Sequence, residues 1–363
     1  MYSAAVGTAL STSTPAGSRT GRTLKTAVFG ASGYAGAELM RLAAGHPDLE
    51  VVLATADSQA GGRLADLYPS LAPAYPDLVL RSADPAAADG LDLVFLALPH
   101  GASQHLVPEL RKRVGAVVDL AADFRLKDPA LYPEWYGEAH QVPELLGEAA
   151  YGIPELFRQD LAGATLVAAA GCYVTAAALA LAPLVRAGVI DPAGVVVDAA
   201  SGVSGAGRVP KPNTHFNTVD EDFSAYGLLR HRHTPEMEQA TGARILFTPH
   251  LAPMNRGILA TCYARPASSG PAAGGTDPLR VLEDFYREEP FVVVSERSPS
   301  TKATLGSNSA HLTARFDQRT GWVVAICALD NLTKGAAGQA IQCANISRGL
   351  PETAGLPVVG VYP

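Results

Sequence analysis

Two junctions, at each of which an apolar strand passes through glycine into a helix, constrain this chain most. The first, Gly30 to Gly36, lies between a strand-like run over 26–30 and a helical run over 35–44. The second surrounds Gly171 and places Cys172 between the apolar stretch 164–168 and an Ala/Leu-rich helix over about 175–185. Such units, separated by further continuous apolar strands, predict a parallel sheet with helices on both faces.

The order of predicted strands and helices changes after Cys172. Before it, strand-like segments at 50–55, 91–98 and 115–120 alternate with helices, whereas after it strand-like segments follow one another closely. The second part therefore predicts an antiparallel or mixed sheet in an α+β domain. With 363 residues, two domains are expected. The expected bounds are a loose extension over 1–23, a first domain over 24–170 and 331–363, and a second domain over 171–330.

Composition excludes several classes of function. A net charge of −7 and a pI near 5.7 argue against a nucleic-acid partner, because phosphate binding needs a basic surface. No apolar run approaches the ~18 residues of a membrane span. The four cysteines are far apart and form no CxxC pair, which predicts neither a zinc site nor a disulfide framework. A cytoplasmic protein is expected.

The first glycine junction has the context of a dinucleotide-binding loop. Gly30, Gly33 and Gly36 have the spacing GxxGxxG, and amide groups at the start of the following helix can meet a diphosphate. The alternative is an ordinary glycine-rich turn. Asp57 lies where an acid would bind a ribose 2′-hydroxyl, while Ser58 and Arg63 suit a 2′-phosphate. Spacing leaves NAD and NADP both open.

Cys172 is the predicted nucleophile. A thiol at the start of a helix lies among unpaired N–H groups at the positive end of the helix dipole, which favours the thiolate. A nucleophilic thiol needs a nearby base, and the segment His231 to Glu236, with two histidines at the start of a helix, is the preferred source. The two histidines, His231 and His233, could also bind a metal ion, but no acidic or cysteine side chains complete a ligand set around them.

A glycine-rich loop from Ser201 to Arg208 offers a second set of backbone amides, together with a guanidinium. It suits an anion as well as it suits a flexible hairpin turn. His250 and Arg256 flank a further loop, Pro249 to Gly257.

Together these segments closely resemble the N-acetyl-γ-glutamyl-phosphate reductase family, relatives of aspartate-semialdehyde dehydrogenase. The resemblance extends from about residue 25 to 350. The matching segments are GASGYAGAEL (30–39), FLALPHG (95–101), DLAADFR (119–125), YGIPE (151–155), GCYVTAA (171–177), SGVSGAGR (201–208), HRHTPE (231–236), FTPHLAPMNRGI (247–258), GSN (306–308) and DNLTKGAAGQAIQ (330–342).

The resemblance implies an NADP-dependent reductase that converts N-acetyl-γ-glutamyl phosphate to N-acetylglutamate semialdehyde and phosphate, in arginine biosynthesis, through a thioester on Cys172. It implies a Rossmann-type first domain completed by the C-terminal helix, and a self-associating second domain that forms a homodimer or homotetramer. By resemblance and chemistry, a histidine of the 231–236 segment is the acid/base. His231 is preferred over His233.

Binding residues follow from the matching motifs and the chemistry of the ligands. The expected substrate-binding residues are Arg125, Tyr173, Ser204, Arg208, His250 and Arg256. The expected cofactor-binding residues are Gly30, Ser32, Gly33, Tyr34, Ala35, Ser58, Arg63, Pro99, Ser201, Gly202, Asn331, Lys334 and Gly335. No metal is expected.

One departure from the family pattern concerns the nucleophile. Family members usually carry proline just before the Gly-Cys pair and often after the tyrosine, where this chain has Ala170 and Val174. Proline would stiffen the turn that presents the thiol. This departure keeps open a weakly active NADP-binding homologue with a regulatory role. A separate alternative is aspartate-semialdehyde dehydrogenase, which performs the same chemistry on a shorter, unacetylated substrate.

Overall fold

Two β-sheets organise the chain in the computed structural model, which describes residues 23–268 and 275–363. The predicted N-terminal extension, except residue 23, and residues 269–274 lie outside the described residues. Within the described ranges, no helix is both long enough and apolar enough to cross a bilayer.

The first sheet has six strands, all parallel, in the order β2-β1-β3-β4-β6-β5. This confirms the predicted parallel sheet of the first domain. The strand predicted over 91–98 is shorter than expected, because only its central residues pair with neighbours. The three-residue edge strand β5 was not predicted. The strands are β1 (Leu24–Phe29), β2 (Leu49–Thr55), β3 (Leu93–Leu96), β4 (Val117–Asp119), β5 (Ala150–Gly152) and β6 (Leu166–Ala169).

The second sheet has seven strands in the order β11-β12-β13-β10-β7-β9-β8. It is mixed, as predicted, because β7 pairs with β9 and β11 with β12 in parallel while the other neighbours are antiparallel. The strands are β7 (Val195–Gly202), β8 (Ser224–Ala225), β9 (Ile245–Ala252), β10 (Ile258–Ala264), β11 (Val292–Val294), β12 (Ala310–Asp317) and β13 (Trp322–Leu329).

Eleven α-helices are found in the described ranges. The helix after the second junction begins at Cys172 itself, three residues earlier than predicted, and the final helical segment begins as a π-helix over Thr333–Ala337. The helices are α1 (Tyr34–Ala44), α2 (Leu64–Leu67), α3 (Ser103–Leu110), α4 (Leu131–Tyr136), α5 (Pro154–Leu161), α6 (Cys172–Arg186), α7 (Phe216–Val219), α8 (His233–Thr241), α9 (Pro278–Phe285), α10 (Thr301–Thr304) and α11 (Gly338–Ser347).

Helix α6 joins the two halves of the molecule. Its small alanine and leucine side chains are almost all buried, and it packs against β10, β13 and the π-helix. This packing fixes the position of its first residue, Cys172. Helix α11 packs back against α5 and β6 of the first sheet, which is consistent with a first domain that the C-terminal segment completes.

Candidate active site

The turn before Cys172 is held by a buried carboxylate. Gly171 N-caps α6, and its N–H donates to Glu236 Oε1 over 2.9 Å. The same oxygen accepts a 2.8 Å bond from Tyr151, and the other carboxylate oxygen lies 3.4 Å from Arg125 Nη1. Since Glu236 is fully buried and Arg125 nearly so, this pair is shielded from solvent. The turn is therefore fixed by three elements, β5, α6 and α8.

Both histidines of the 231–236 segment lie beside this turn. A Cβ added to Gly171 would come within 2.5 Å of His233 Nε2, so this imidazole packs directly on the turn. His231 lies edge-to-face on His233 with ring centroids 4.7 Å apart, and its Nδ1 accepts the His233 N–H. Tyr173 contacts both rings, and its hydroxyl donates to the His250 carbonyl over 2.9 Å. The structure thus groups Cys172, His231, His233, Tyr173 and Arg125.

Burial sets the protonation of these groups in the absence of ligands. Although part of Cys172 is exposed, desolvation raises the pKa of its thiol to about 11, against the opposing effects of the Arg125 charge and the Tyr173 amide. The amides at the helix terminus do lower the thiol pKa, as expected, but burial outweighs them. Burial also lowers the pKa of His231 to about 4, helped by Arg232, and that of His233 well below its usual range. Both imidazoles are neutral at pH 7 and available as bases.

The nucleotide loop has the geometry that a diphosphate requires. Gly30 adopts a φ of +86°, and a Cβ there would meet Ala97 O at 2.3 Å, while one at Gly36 would meet Gly30 O at 2.2 Å. Gly33 N-caps α1, whose first turn carries no side-chain cap and therefore keeps amide groups for a ligand. Tyr68 donates a 2.8 Å bond to Ser32 O and holds the loop from outside. The residues present fit a dinucleotide.

Several predicted cofactor residues lie at the carboxyl edge of the first sheet. Tyr34 and Ala35 open α1, and Pro99 lies in the exposed loop after β3. Ser58 is exposed after β2, and Arg63, also exposed, pairs with Asp66 over 2.8 Å.

Arg208, predicted to bind substrate, lies near Tyr68. Its charge acts on Tyr68, counteracting the rise in the pKa of that phenol that burial causes. Its Nε is buried without a hydrogen-bond partner among the described residues. Arg208 thus lies near Tyr68, the residue that holds the nucleotide loop.

The loop after β7 is braced from the other side of the site. Asn331 accepts the Gly257 N–H over 2.7 Å and donates to Ser204 Oγ over 3.0 Å. Ser201 is buried and donates to the Gly202 carbonyl. Gly335 packs on the nucleophile, since a Cβ there would lie 2.8 Å from Cys172 Cβ. These contacts fix the loop after β7 and the segment around Gly335 in position beside Cys172.

Three predicted site residues have structural partners instead. Arg256 binds Glu38 at 2.8 Å and Asp330 at 2.9 Å, so its guanidinium is engaged by two carboxylates and links the two domains. Lys334 is fully buried, with Nζ 2.6 Å from a Glu155 carboxylate oxygen. The ring of His250 stacks on Phe223, so that only its backbone reaches the site, through Tyr173.

Sequence reasoning missed the residues that position the turn. Glu236 and Tyr151 both stand in motifs quoted for the family resemblance, but their roles depend on contacts between segments 85 residues apart. Ala170, where the family usually has proline, is buried, and its N–H faces Gly152 O at 3.5 Å. Proline has no N–H for this contact. Hydrogen bonds therefore hold this turn, whereas in relatives with proline at this position the proline ring would stiffen it.

No group of three or more His, Cys, Asp or Glu side chains is arranged to hold a metal ion in the part of the chain that the structure describes. The site therefore consists of a thiol, two imidazoles, a guanidinium and a glycine-rich nucleotide loop. This set suits acyl transfer to sulfur followed by hydride transfer.

Comparison with protein families divides the chain at this site. Residues 25–164 match the semialdehyde dehydrogenase NAD-binding domain, and residues 172–331 match the semialdehyde dehydrogenase dimerisation domain. The fold is also that of solved semialdehyde dehydrogenases. Aspartate semialdehyde dehydrogenase II from Vibrio cholerae, complexed with ASA, has a TM-score of 0.66 at 14% identity, covering 90% of this chain and 98% of its own. The Candida albicans enzyme with NADP has a TM-score of 0.63 at 15% identity, over 90% and 99%.

Curated relatives are much more similar in sequence. An N-acetyl-γ-glutamyl-phosphate reductase from Salinispora arenicola is 53% identical over 94% of this chain and 99% of its own length. The protein of the same name from Magnetococcus marinus is 46% identical over 94% and 100%. The chain belongs to the semialdehyde dehydrogenase family and, within it, to the N-acetyl-γ-glutamyl-phosphate reductases.

Proposed function

We propose that this protein reduces N-acetyl-γ-glutamyl phosphate to N-acetylglutamate 5-semialdehyde with release of phosphate, as a step of arginine biosynthesis. The observation that carries the proposal is the position of Cys172, the first residue of α6, next to a neutral imidazole pair and a buried guanidinium. The names of relatives about 50% identical in sequence support the substrate.

The first step transfers the acyl group to sulfur. A neutral imidazole accepts the thiol proton, and the sulfur attacks the acyl carbon, so that the C–S bond forms as the C–O bond to phosphate breaks. Arg125 supplies positive charge beside the turn, which favours both the thiolate and the departing phosphate. The thiol pKa of about 11 in the ligand-free chain means that proton transfer to an imidazole must accompany the attack.

The second step reduces the thioester. When bound, NADPH supplies the hydride that the thioester carbon accepts. The imidazolium can protonate the alkoxide formed by that hydride, which gives a thiohemiacetal. In its collapse the imidazole takes the hydroxyl proton back, the C=O bond forms as the C–S bond to Cys172 breaks, and the proton returns to the departing sulfur. His231 remains the preferred acid/base, and the packing of His233 on Gly171 makes it the second candidate. Replacing each by Asn should identify the catalytic one, because loss of the acid/base should lower the rate by about 10²–10⁴-fold.

NADP is the proposed cofactor, within a domain that binds a nicotinamide nucleotide. Two cations support the phosphorylated form. Arg63 is exposed after β2, and Arg208 acts on Tyr68, which contacts the nucleotide loop. A 2′-phosphate would offer either cation a charged partner.

A homodimer or homotetramer in the cytoplasm is proposed. Alternate residues of the central strands β7, β9, β10 and β13 are buried against α6 and its neighbours, while those between them keep part of their surface exposed. An open, partly apolar sheet face in a domain of the dimerisation type supports association through that face. All four thiols are free, which suits a reducing compartment.

The test is phosphate-dependent reduction of NADP by the purified protein with N-acetylglutamate semialdehyde, compared with aspartate semialdehyde. We expect NADPH formation with the first substrate and its loss in Cys172→Ser. Activity with aspartate semialdehyde alone would assign the chain to the sister reaction. NADP binding without activity on either substrate would instead favour a regulatory homologue.

A further inference from the structure

Three polar atoms beside the active-site turn are buried without a hydrogen-bond partner among the described residues. They are the Tyr136 hydroxyl, Nε of Arg125 and Nδ1 of His233. Arg125 and His233 are each only 8% exposed, so solvent does not replace the missing partners. A buried polar group without a partner costs stability, and such groups are rare in native proteins. Three of them together mark a place where a ligand supplies the partners.

Arg125 and His233 meet at the turn that presents the nucleophile. A Cβ added to Gly171 would lie 2.5 Å from His233 Nε2 and 2.9 Å from Arg125 Nη1. The charge of Arg125 also opposes the rise in the pKa of the Cys172 thiol that burial causes. An anion bound by Arg125 on this side therefore lies close to the carbon that Cys172 attacks.

Tyr136 reaches the same place from the first domain. It is the last residue of α4, in the segment between β4 and β5. Burial and the nearby Glu236 carboxylate raise the pKa of its phenol, and the charges of Arg125 and Arg232 oppose that rise. Tyr136 thus shares the surroundings of Arg125. Its hydroxyl is protonated at pH 7 and can donate a hydrogen bond.

The ring of Tyr136 is held firmly, so its unpartnered hydroxyl does not reflect a loose side chain. The ring packs on His100 with centroids 4.3 Å apart and stacks on Tyr132 at 5.3 Å. His100 Nδ1 lies 2.6 Å from Asp123, whose carboxylate also accepts the Gly101 N–H over 2.7 Å. These contacts fix the position of the ring and leave the hydroxyl free to donate.

Charge and distance together select the phosphoryl group of the proposed substrate as the ligand. Arg125 is paired with Glu236 at 3.4 Å, but the exposed Arg232 adds a second cation near the same phenol. The surroundings therefore favour an anion. The substrate has two: its phosphoryl group is joined through one oxygen to the carbon under attack, whereas three carbons separate its carboxylate from that carbon. The turn that holds Cys172 is thus nearer to the phosphoryl group.

We propose that Tyr136 is a phosphate-binding residue whose hydroxyl donates to the phosphoryl group of the substrate, while Arg125 compensates the charge of that group. In the reverse reaction the same hydroxyl holds inorganic phosphate as a phosphate oxygen attacks the thioester, so that the C–O bond forms as the C–S bond breaks. Tyr136 keeps its proton throughout. The inference rests on the proposed function, of which it specifies one subsite.

The experiment compares wild type with Tyr136→Phe, which removes the hydroxyl and keeps the ring. Tyr75→Phe is the matched control, because Tyr75 is a half-buried residue of the first domain whose hydroxyl donates to the Met40 carbonyl over 3.1 Å. Initial rates of NADPH formation give separate KM values for phosphate and for N-acetylglutamate semialdehyde, since the two are separate substrates in this direction.

Two further measurements do not depend on turnover. Inorganic phosphate is titrated against the rate at which iodoacetamide alkylates Cys172, the one thiol that is not fully buried. The melting temperature of each variant reports whether the hydroxyl that it lacks has a partner within the chain.

We expect Tyr136→Phe to raise the KM for phosphate by about tenfold or more, because a charge-assisted hydrogen bond is lost. The KM for the semialdehyde should change by less than about twofold, since the carboxylate lies elsewhere. The phosphate concentration that half-protects Cys172 should rise with the KM for phosphate. The melting temperature should not fall, and Tyr75→Phe should keep both KM values of wild type.

Several results would overturn the proposal. A rise confined to the KM for the semialdehyde would place the substrate carboxylate at Tyr136 instead. Unchanged KM values and unchanged protection would exclude a contact with phosphate, as would a wild type that phosphate does not protect. A larger fall in melting temperature than in Tyr75→Phe would show that the hydroxyl has a partner within the chain. If wild type lacks reductase activity, the proposed function fails, and protection of Cys172 still decides whether Tyr136 binds phosphate.

Discussion

The nucleotide loop and the Gly171–Cys172 turn are both strand-to-helix junctions built on glycine, yet the glycines serve different neighbours. At Gly30 an added Cβ would meet the backbone of the adjacent strand, whereas at Gly171 it would meet His233 Nε2 at 2.5 Å and Arg125 Nη1 at 2.9 Å. The first junction is shaped by backbone and leaves amides for a ligand. The second is shaped by ionisable side chains gathered around a thiol. Sequence spacing reveals the first kind, and only tertiary structure reveals the second.

The largest expected effect should abolish the chemistry at the second junction and leave nucleotide binding at the first junction unchanged. Cys172→Ala should reduce the reductase rate by about 10⁴-fold or more, because no other group can form the thioester. NADP affinity should stay within about twofold, since the nucleotide loop is untouched. Stopped-flow reduction assays and fluorescence titration measure the two quantities. Cys327→Ala, which removes a buried thiol from β13, is the control and should keep its activity; equal losses in both variants would contradict the assignment.

The next effect concerns the buried pair that shapes the second junction. Glu236→Leu should lower the free energy of unfolding by about 4 kcal/mol, because it leaves Arg125 buried without its counter-charge. Urea unfolding measures the change. Glu283→Leu removes an exposed partner of Arg280 and should change stability by less than about 1 kcal/mol. Similar values for the two variants would mean that the Glu236 carboxylate does not hold the turn.

A counterpart at the first junction is Glu38, which lies in α1 and binds Arg256. Burial alone would raise its pKa, but hydrogen bonds and charge from Arg41 and Arg256 outweigh that effect and bring the pKa from 4.5 down to about 2. The depressed folded-state value stabilises the protein above pH 4.5, and this contribution of about 3 kcal/mol is lost as pH falls towards 2. Glu38→Gln should flatten this part of the stability curve, measured by chemical unfolding at a series of pH values. An unaltered acid limb in the variant would exclude Glu38 as its source.

The smallest expected effects come from replacing one glycine by alanine at each junction, because each substitution should impair only the function of its own junction. Gly171→Ala should lower the rate by about 10²-fold with little change in NADP affinity, because a displacement of the turn misplaces the thiol. Gly30→Ala should weaken NADP binding by about tenfold and leave alkylation of Cys172 unchanged, since 1.4 kcal/mol of strain corresponds to that factor.

Two further glycines serve as controls for these two substitutions. Gly137 has the same φ of +86° as Gly30 with open space at its Cβ position, and Gly147 is likewise unobstructed with an ordinary φ. Gly137→Ala therefore reports the cost of backbone conformation alone, and Gly147→Ala that of the substitution itself. Indistinguishable results for Gly171→Ala and Gly147→Ala would show that the second turn tolerates displacement.

Much of the fold follows from local patterns. Buried apolar runs predicted the parallel sheet, and the close succession of strands after Cys172 predicted the mixed one. The three-residue strand β5 was not predicted, because it forms a strand through its pairing with β6 and not through a recognisable apolar run of its own. Similarly, the motif containing Lys334 suggested a ligand contact, but its partner Glu155 lies 179 residues away in the chain. Roles that depend on such long-range partners cannot be deduced from spacing.

Desolvation was the other quantity hidden from the sequence. The position of Cys172 at a helix terminus indicated an acidic thiol, and the amide of Tyr173 does lower its pKa, but burial dominates. How deeply a side chain is buried depends on the packing of α6, α8 and the π-helix together. The sequence indicated the nucleophile, while its resting protonation required the structure.

The return of α11 to the first sheet has a consequence for biosynthesis on the ribosome. This helix packs on α5, β6 and β4, so part of the core of the first domain is supplied by residues translated after the whole second sheet. Until those residues emerge, the growing chain exposes the apolar surface that α11 later covers. We therefore expect the nascent first domain to be prone to aggregation until its last helix arrives.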